Sequence, residues 1–362
     1  MTVVFVIVGL SVLILGHEWG HFFAAKKFGL KVDEFGFGFP PKIFAWRSRR
    51  KIKEGETLRQ AQGETEYSLN WLPFGGFVKI AGENDRISGD SDKLQDLPPA
   101  EKRRIFLFQP AWKRAVIILA GIFVNLIIGW FLFSVVFLVG TPKALILTAV
   151  QPGSPAEAVG IKANDILEGY TDSDTFVNFV NANRGKEIEV SVLRGSEKLK
   201  FKVVPRVSVK PEEGALGVGI APAGADPQGF FKSFWYGLEQ TGLIAAGTVK
   251  GFYILLKGLV INGRLSSDVT GPVGIFTIAS QIGKIGWAYL INLLALISVN
   301  LAVINLIPFP ALDGGRFFLI LIEKIKGSPV PVKLEAVING VGFALLLALM
   351  VVITARDLIR LF

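Results

Sequence analysis

Cysteine is missing from all 362 residues, and histidine occurs only twice. The first absence excludes disulfides, thiolate metal ligands and cysteine nucleophiles. The second leaves any metal site at most two imidazoles, so a further protein ligand has to be a carboxylate. Charge is also sparse: 19% of residues are Asp, Glu, Lys or Arg, 51% are hydrophobic, and mean hydropathy is +0.49. That is too apolar for an ordinary water-soluble chain of this length. A formal charge of +9 would suggest nucleic acid in a soluble protein. Here the basic residues crowd beside apolar runs, which reads as membrane topology, and no nucleic-acid partner is expected.

What is present begins with the apolar run Val3–Gly16, which continues through Phe22, Phe23, Ala24 and Ala25. Three further runs follow: Ala115–Val139, headed by Lys113 and Arg114; Trp287–Ile307; and Val337–Ile353, closed by Arg356 and Arg360. Each approaches or exceeds the ~20 residues that a helix needs to cross a bilayer. No basic residue precedes the first run and no clean small-x-small site follows it, so a cleaved signal peptide is not expected.

Both histidines lie inside that first run, as His17-Glu18-Trp19-Gly20-His21. On a helix this H-E-x-x-H spacing puts two imidazoles on one face, one turn apart, as zinc ligands. The glutamate between them is then placed to act as general base towards a water polarised by the metal. Ionisable groups inside a span are costly and mark function. A metal site within the membrane is the leading reading.

The expected organisation is a first transmembrane helix over 1–28, a cytoplasmic-side β-element and loop over 29–112, and a second span over 113–140. An extracytoplasmic β-rich domain follows over 141–224, then interfacial amphipathic helices over 225–286. A third span with its acidic turn covers 287–322, a cytoplasmic loop 323–336 and a fourth span 337–362. Basic residues cluster near Lys26, Lys27, Lys102, Arg103, Arg104 and Lys324, and the positive-inside rule makes that side cytoplasmic with both termini outside. Phe234–Leu256 tempts a fifth span, but Glu239, Gln240 and Lys250 favour a helix in the interface led by Phe230, Phe231, Phe234 and Trp235. Glu66–Trp71 and Gly76–Ile80 read as strands, with Pro73 and Gly75-Gly76 as the turn between them. Asp85–Ala100 reads as a polar loop, and Val190–Arg194 with Leu199–Val203 as a hairpin about Gly195-Ser196.

The candidate third ligand is Asp313, in Asn305-Leu306-Ile307-Pro308-Phe309-Pro310-Ala311-Leu312-Asp313-Gly314-Gly315. Unwound backbone at membrane depth is tolerated only where protein buries it or it lines a cavity. The competing reading is a turn in which Asp313 caps the next helix, Arg316–Ile325. Parity favours the ligand: two further crossings return Asp313 to the side of the histidines, whereas a fifth span would separate them.

These residues resemble the site-2 proteases, intramembrane zinc metalloproteases, and among them the bacterial regulators of the sigma-E response. Supporting elements are Gly75-Gly76-Phe77-Val78-Lys79, and Gly121 with Asn125 in the second span. The resemblance implies one Zn2+ per chain held by His17, His21 and Asp313, with Glu18 as catalytic base. It implies that Asn300 and Asn305 hold the unwound backbone of a substrate, and that Phe77, Val78, Lys79 and Ile80 offer it a strand edge. Val150–Lys162 with Asp165-Ile166-Leu167 resembles a circularly permuted bacterial PDZ domain, with Gly214–Ile220 as its carboxylate-binding loop. The implied fold is a polytopic α-helical membrane protein with four transmembrane helices, a membrane-associated β-element and one PDZ domain. The implied partners are the lipid bilayer, single-span membrane protein substrates and an upstream site-1 protease; the implied place is the cell inner membrane, with the active site toward the cytoplasmic leaflet. Departures are room for a single PDZ domain, Arg316 where a relative can have histidine, Ile122 for a proline, and Asn164 for a glycine. A membrane-anchored zincin of the soluble type would instead take its third ligand from Asp33 or Glu34, and a non-catalytic PDZ scaffold would keep only a relic site.

Overall fold

The computed structural model describes residues 2–47, 65–83, 97–194, 197–208, 214–262, 271–283, 286–328 and 330–361. Most of the polar stretch Asp85–Ala100 and the Gly195-Ser196 turn lie outside the described residues. Helix α1 (Thr2–Lys27) leads into strands β1 (Val32–Arg47) and β2 (Glu66–Ile80), the one-turn helix α2 (Pro99–Lys102) and the long helix α3 (Ala111–Val139). A second β region holds β3 (Thr141–Val150), α4 (Pro155–Ala158), β4 (Ile166–Leu167), α5 (Ser173–Ala182), β5 (Ile188–Arg194), β6 (Glu197–Val203) and β7 (Val218–Ala225). The chain ends with α6 (Phe230–Asn262), α7 (Pro272–Ile282), α8 (Trp287–Leu306), α9 (Asp313–Lys326) and α10 (Val332–Leu361). Among the described residues α1, α3, α8 and α10 are long and apolar enough to cross a membrane, in the places expected.

Helix α3 is the hub, with α1, α6 and α8 packed around it. Apolar surface alone does not drive helices together in lipid, so close approach through small residues matters. Gly20 supplies it between α1 and α3: a β-carbon there would stand 2.5 Å from the Ala120 carbonyl oxygen and 2.8 Å from Gly121 Cα. Between α3 and α8 the contact is apolar, with Phe133 against Ala295, Val299 and Val303. One buried polar bond pins it, from Ser298 Oγ to the Asn125 carbonyl at 2.8 Å.

Helix α6 runs for 33 residues, longer than the amphipathic segment expected. Its aromatic head fits an interface, since Phe231 and Trp235 are exposed. Its middle packs on the spans: Trp130 Nε1 donates to the Phe234 carbonyl at 2.9 Å, and Ile244 and Ala245 join the α3–α8 cluster. Glu239, Gln240 and Lys250 do not prevent this because only one face of the helix meets α3 and α8, as its amphipathic pattern allows.

β1 and β2 pair antiparallel. The register puts Phe35 opposite both Val78 and Tyr67, so Val32–Phe37 is flanked by Gly76–Ile80 on one side and by Glu66–Leu69 on the other. The far half of β1 returns onto the same segment, with Phe44 opposite Leu69 and Trp46 opposite Tyr67. β2 is assigned without a break through Pro73 and the paired glycines, yet its Glu66–Leu69 half rises in step with Glu34–Phe37 and its Gly76–Ile80 half runs the opposite way, so the chain reverses between them where the turn is expected. Gly75 takes φ +90 there, a value that L side chains rarely adopt. At the root of the sheet Glu34 accepts from Ser68 at 2.7 Å, Lys42 at 2.8 Å and Lys79 at 3.0 Å.

The second β region is a five-stranded sheet in the order β6-β5-β4-β3-β7. Leu145, Leu147, Phe176, Val190 and Val192 centre its core. The expected hairpin is β5–β6, with Val190 opposite Phe201. Asp172 caps α5 through its carboxylate on the Thr175 amide. Asn164 adopts φ +70, a conformation asparagine tolerates, which is how it stands in for glycine.

Candidate metal centre

The second half of α1 carries the two histidines onto its buried face, where α3 crosses. His17 Nε2 and His21 Nε2 are 3.2 Å apart. Asp313 Oδ2 completes the triangle, 2.9 Å from His17 Nε2 and 3.2 Å from His21 Nε2. These are the described histidine and carboxylate groups that come together closely enough to hold a metal ion.

Asp313 reaches them because of the turn before it. Helix α8 stops at Leu306, and α9 begins at Asp313 itself, with Leu312 as its N-cap and no side-chain capping bond. The helix-capping alternative for Asp313 is therefore not what the fold adopts. The two glycines that follow let α9 fold back against the turn. A β-carbon on Gly314 would overlap the Leu306 and Ile307 carbonyl oxygens, and one on Gly315 the Phe309 carbonyl oxygen.

The imidazoles are oriented from behind. His21 Nδ1 donates to the Ile117 carbonyl at 2.9 Å, which leaves Nε2 as a bare lone pair. Asn125 Nδ2 lies 3.4 Å from His17 Nδ1, while the buried Asn125 Oδ1 has no partner among the described residues. The two ends of an amide are told apart by their bonding. Turned over, Asn125 offers its oxygen to His17 Nδ1–H and frees the Nε2 lone pair.

Glu18 is half-buried beside this triangle, and its Oε2 accepts the Val78 amide at 3.1 Å. The amide of Val78 thus points away from β1 and toward the histidine face of α1. Of the other expected strand positions, Lys79 turns to Glu34, Ile80 is buried beside Ala24, Ala25 and Val32, and the Phe77 ring lies over Gly36. Asn300 is bonded to Thr248 Oγ1 of α6 at 2.5 Å. Asn305 is half-buried further along α8. Asp33 pairs with Lys31 and Glu34 with Lys42 and Lys79, so neither acid serves the histidines, and the soluble-type alternative lacks its ligand.

A second feature lies far from these groups. Between α5 and β7, the edge strand of the second sheet, is a groove of about 250 Å³ lined by Phe176, Val180, Leu216 and Val218, with Arg184 beside it.

The profile of Peptidase family M50 matches residues 5–349, nearly the whole chain. The chain belongs to Peptidase family M50, the site-2 proteases. A Clostridium perfringens protein provisionally named as a zinc metalloprotease is 34% identical over 366 residues, covering 99% of each chain. The zinc metalloprotease RasP of Oceanobacillus iheyensis is 29% identical over 440 residues, covering 100% of this chain and 99% of its own. The RasP of Shouchella clausii is 29% identical over 429 residues, with 97% of each chain covered. This M50 chain is a zinc metalloprotease of the membrane.

Zinc fits the M50 site on its own geometry. Four ligands on arms of about 2.0–2.1 Å in a tetrahedron stand about 3.3 Å from one another. The observed separations of 2.9, 3.2 and 3.2 Å approach one face of such a tetrahedron. Two nitrogens and a carboxylate oxygen in mutual contact are three electron-rich atoms, an arrangement that a shared cation stabilises. The set is two imidazoles and one carboxylate, which leaves a fourth position open for chemistry.

Sequence reasoning named every group of the triangle and missed part of its support. Asn125 carried a signal, a lone amide in an apolar span. The Ile117 carbonyl carried none, since any residue supplies a backbone oxygen.

Proposed function

We propose that this protein cleaves a peptide bond inside a locally unwound transmembrane segment of single-span membrane proteins, as the second cut in regulated intramembrane proteolysis. The observation that carries the reading is the Val78 amide on Glu18 Oε2 at 3.1 Å, which sets a strand edge against the base of a zinc site. A helix in lipid satisfies its own backbone, so its peptide bonds are inaccessible until it unwinds. An extended segment recovers those hydrogen bonds by pairing with Phe77–Ile80, which brings its carbonyls to the metal face. Asn300 and Asn305 lie on α8, before the turn that carries Asp313, as further partners for freed backbone.

His17, His21 and Asp313 hold the metal, which when bound acidifies a water and polarises the scissile carbonyl. Glu18 removes the water proton as the carbon–oxygen bond forms, then delivers it to the departing amine as the carbon–nitrogen bond breaks. The buried imidazoles and the packed α1–α3 crossing keep bulk water from most of the site.

The domain over 141–224 is read as a PDZ domain whose groove between α5 and β7 receives a peptide end, with Gly214–Ile220 at its head. It then serves as a docking site or size filter for substrates already trimmed by an upstream protease. The basic residues around Lys26, Lys102 and Lys324 make their side cytoplasmic, which puts both termini outside and the catalytic groups toward the cytoplasmic leaflet of the cell inner membrane.

The test is cleavage of a panel of single-span proteins by the full chain in lipid nanodiscs, with the cut mapped by mass spectrometry. Cuts within the spanning segment that require Glu18 and stop on chelation support the reading. Cuts confined to extramembrane loops would overturn it.

A further inference from the structure

The turn that presents Asp313 has a defined backbone. The Leu312 amide donates to the Phe309 carbonyl at 3.2 Å, closing four residues with Pro310 second and Ala311 third. Ala311 has φ +70, and the only other described non-glycine residue with positive φ is Asn164. Proline second, positive φ third and this closing bond together define a type II turn. That turn normally has glycine third, because a β-carbon is crowded there. With alanine in that place the local preference is for type I, which differs by a flip of the peptide joining Pro310 to Ala311.

Something outside the turn therefore has to hold the flipped peptide, and α10 supplies it. Asn339 Oδ1 accepts the Ala311 amide at 3.2 Å, and that amide belongs to the peptide whose orientation distinguishes the two turns. The assignment of oxygen and nitrogen in Asn339 is unambiguous here, since a backbone N–H can only donate. One turn away, Gly342 lets α10 close on the same peptide: a β-carbon there would overlap the Pro310 side chain and stand 2.8 Å from its carbonyl oxygen. The other end of the asparagine, Nδ2, is buried without a partner among the described residues. An unpaired amide at membrane depth is costly, so a residue kept there needs a compensating bond. The rest of α10 is mostly uncovered, so its polar attachments stand out. A second is near its other end, where Asp357 Oδ2 accepts the Gly271 and Gly274 amides, each at 2.9 Å.

We propose that Asn339 is a positioning residue for the metal centre: by holding the Pro310–Ala311 peptide in its type II orientation, it aims Asp313 at His17 and His21. The inference rests on the reading of Asp313 as a metal ligand. It makes the fourth span a support of the active site, joined to Asp313 by one hydrogen bond to the turn two residues before it, and links the seating of that span to ligand geometry. If the turn relaxes to type I, the chain leaves Ala311 in a different direction and the Asp313 carboxylate moves off the imidazoles.

The test compares zinc dissociation into a chelator, and kcat and KM, for full-length protein and two variants in the same lipid nanodiscs. Asn339→Ala should release zinc at least about tenfold faster and lower kcat with little change in KM, the usual scale for loss of support behind a ligand. Adding Ala311→Gly to Asn339→Ala should bring zinc release back to within about threefold of the parent, because glycine takes positive φ without external help. A general packing defect in α10 would not be repaired by removing a methyl group from the turn. Where Asn339→Ala does not yield folded protein, Ala311→Val in the parent carries the same test, since a β-branched residue resists positive φ and should speed zinc release with Asn339 intact. Parental zinc release in Asn339→Ala, a defect that Ala311→Gly leaves untouched, or parental release in Ala311→Val overturns the proposal. Failure of the metal reading itself looks different: zinc would then be indifferent to His17→Ala and Asp313→Ala in the parent.

Discussion

Gly121 lies directly beneath His21, so that a β-carbon at Gly121 would overlap Nε2 and stand 2.8 Å from Cε1. The same atom would come 2.9 Å from the His17 carbonyl oxygen, so neither the ring nor the backbone of α1 has room to yield. The nitrogen offered to the metal thus occupies the space of a missing side chain. Gly121→Ala should leave a folded protein with zinc stoichiometry well below one per chain and correspondingly little activity. Metal analysis after gel filtration checks this, and full zinc content would show that α1 and α3 can separate without harm.

The Asn125 side chain stands 3.4 Å behind His17 Nδ1. Asn125→Ala removes the amide behind the ring and should weaken zinc binding by roughly 10–100-fold, as for other groups that orient metal ligands. Chelator competition reads the change. An affinity equal to that of the parent would mean that packing alone fixes the His17 ring.

Glu18 stands outside the His17–His21–Asp313 triangle, so on the proposed reading Glu18→Gln should retain zinc at parental stoichiometry. Cleavage should fall by about 10²–10⁴-fold or more, the range for loss of a positioned general base. A variant that loses both metal and activity would instead make Glu18 part of the coordination shell.

The Glu34 carboxyl is buried, which opposes ionisation, yet bonds from Lys42, Ser68 and Lys79 outweigh this and hold it down to about 2. Its folded value lies below the ordinary 4.5, so its contribution to stability is complete above pH ~4.5 and is lost as pH falls towards 2. Hydrogen exchange of β1 and β2 should therefore be faster in Glu34→Gln than in the parent at pH 7, and the two should converge near pH 2. A constant difference across that window would mean that Glu34 acts through packing.

Residues 141–224 contain none of the groups at the metal. Deleting the domain should leave cleavage of a short, pre-trimmed substrate intact and permit cleavage of an untrimmed one. Loss of the short-substrate reaction with zinc still bound would assign the domain to delivery of substrate or to the active fold.

The metal triangle was legible because each member broke a local rule. His17 and His21, with Glu18 between them, are polar groups in an apolar run, and Asp313 follows two prolines where a span should end. The four spans were legible from length and composition. Two things were not. The depth of α6 was hidden because its charges sit on the face turned from α3, which only the packing reveals. Asn339 looked like any polar residue near a helix start, since its partner is a backbone amide whose orientation depends on the φ of Ala311.

His17 and Asp313 bond across 296 residues of chain. A site that joins the first span to the end of the third cannot exist on a half-made protein. While the chain is emerging, α1 is already in the bilayer with its histidines exposed to whatever metal is present, but the carboxylate has not been synthesised. The triangle is completed only when α8 has been made and the turn behind it has closed. On the proposed reading, competence arrives late, as a by-product of the order in which the chain is made.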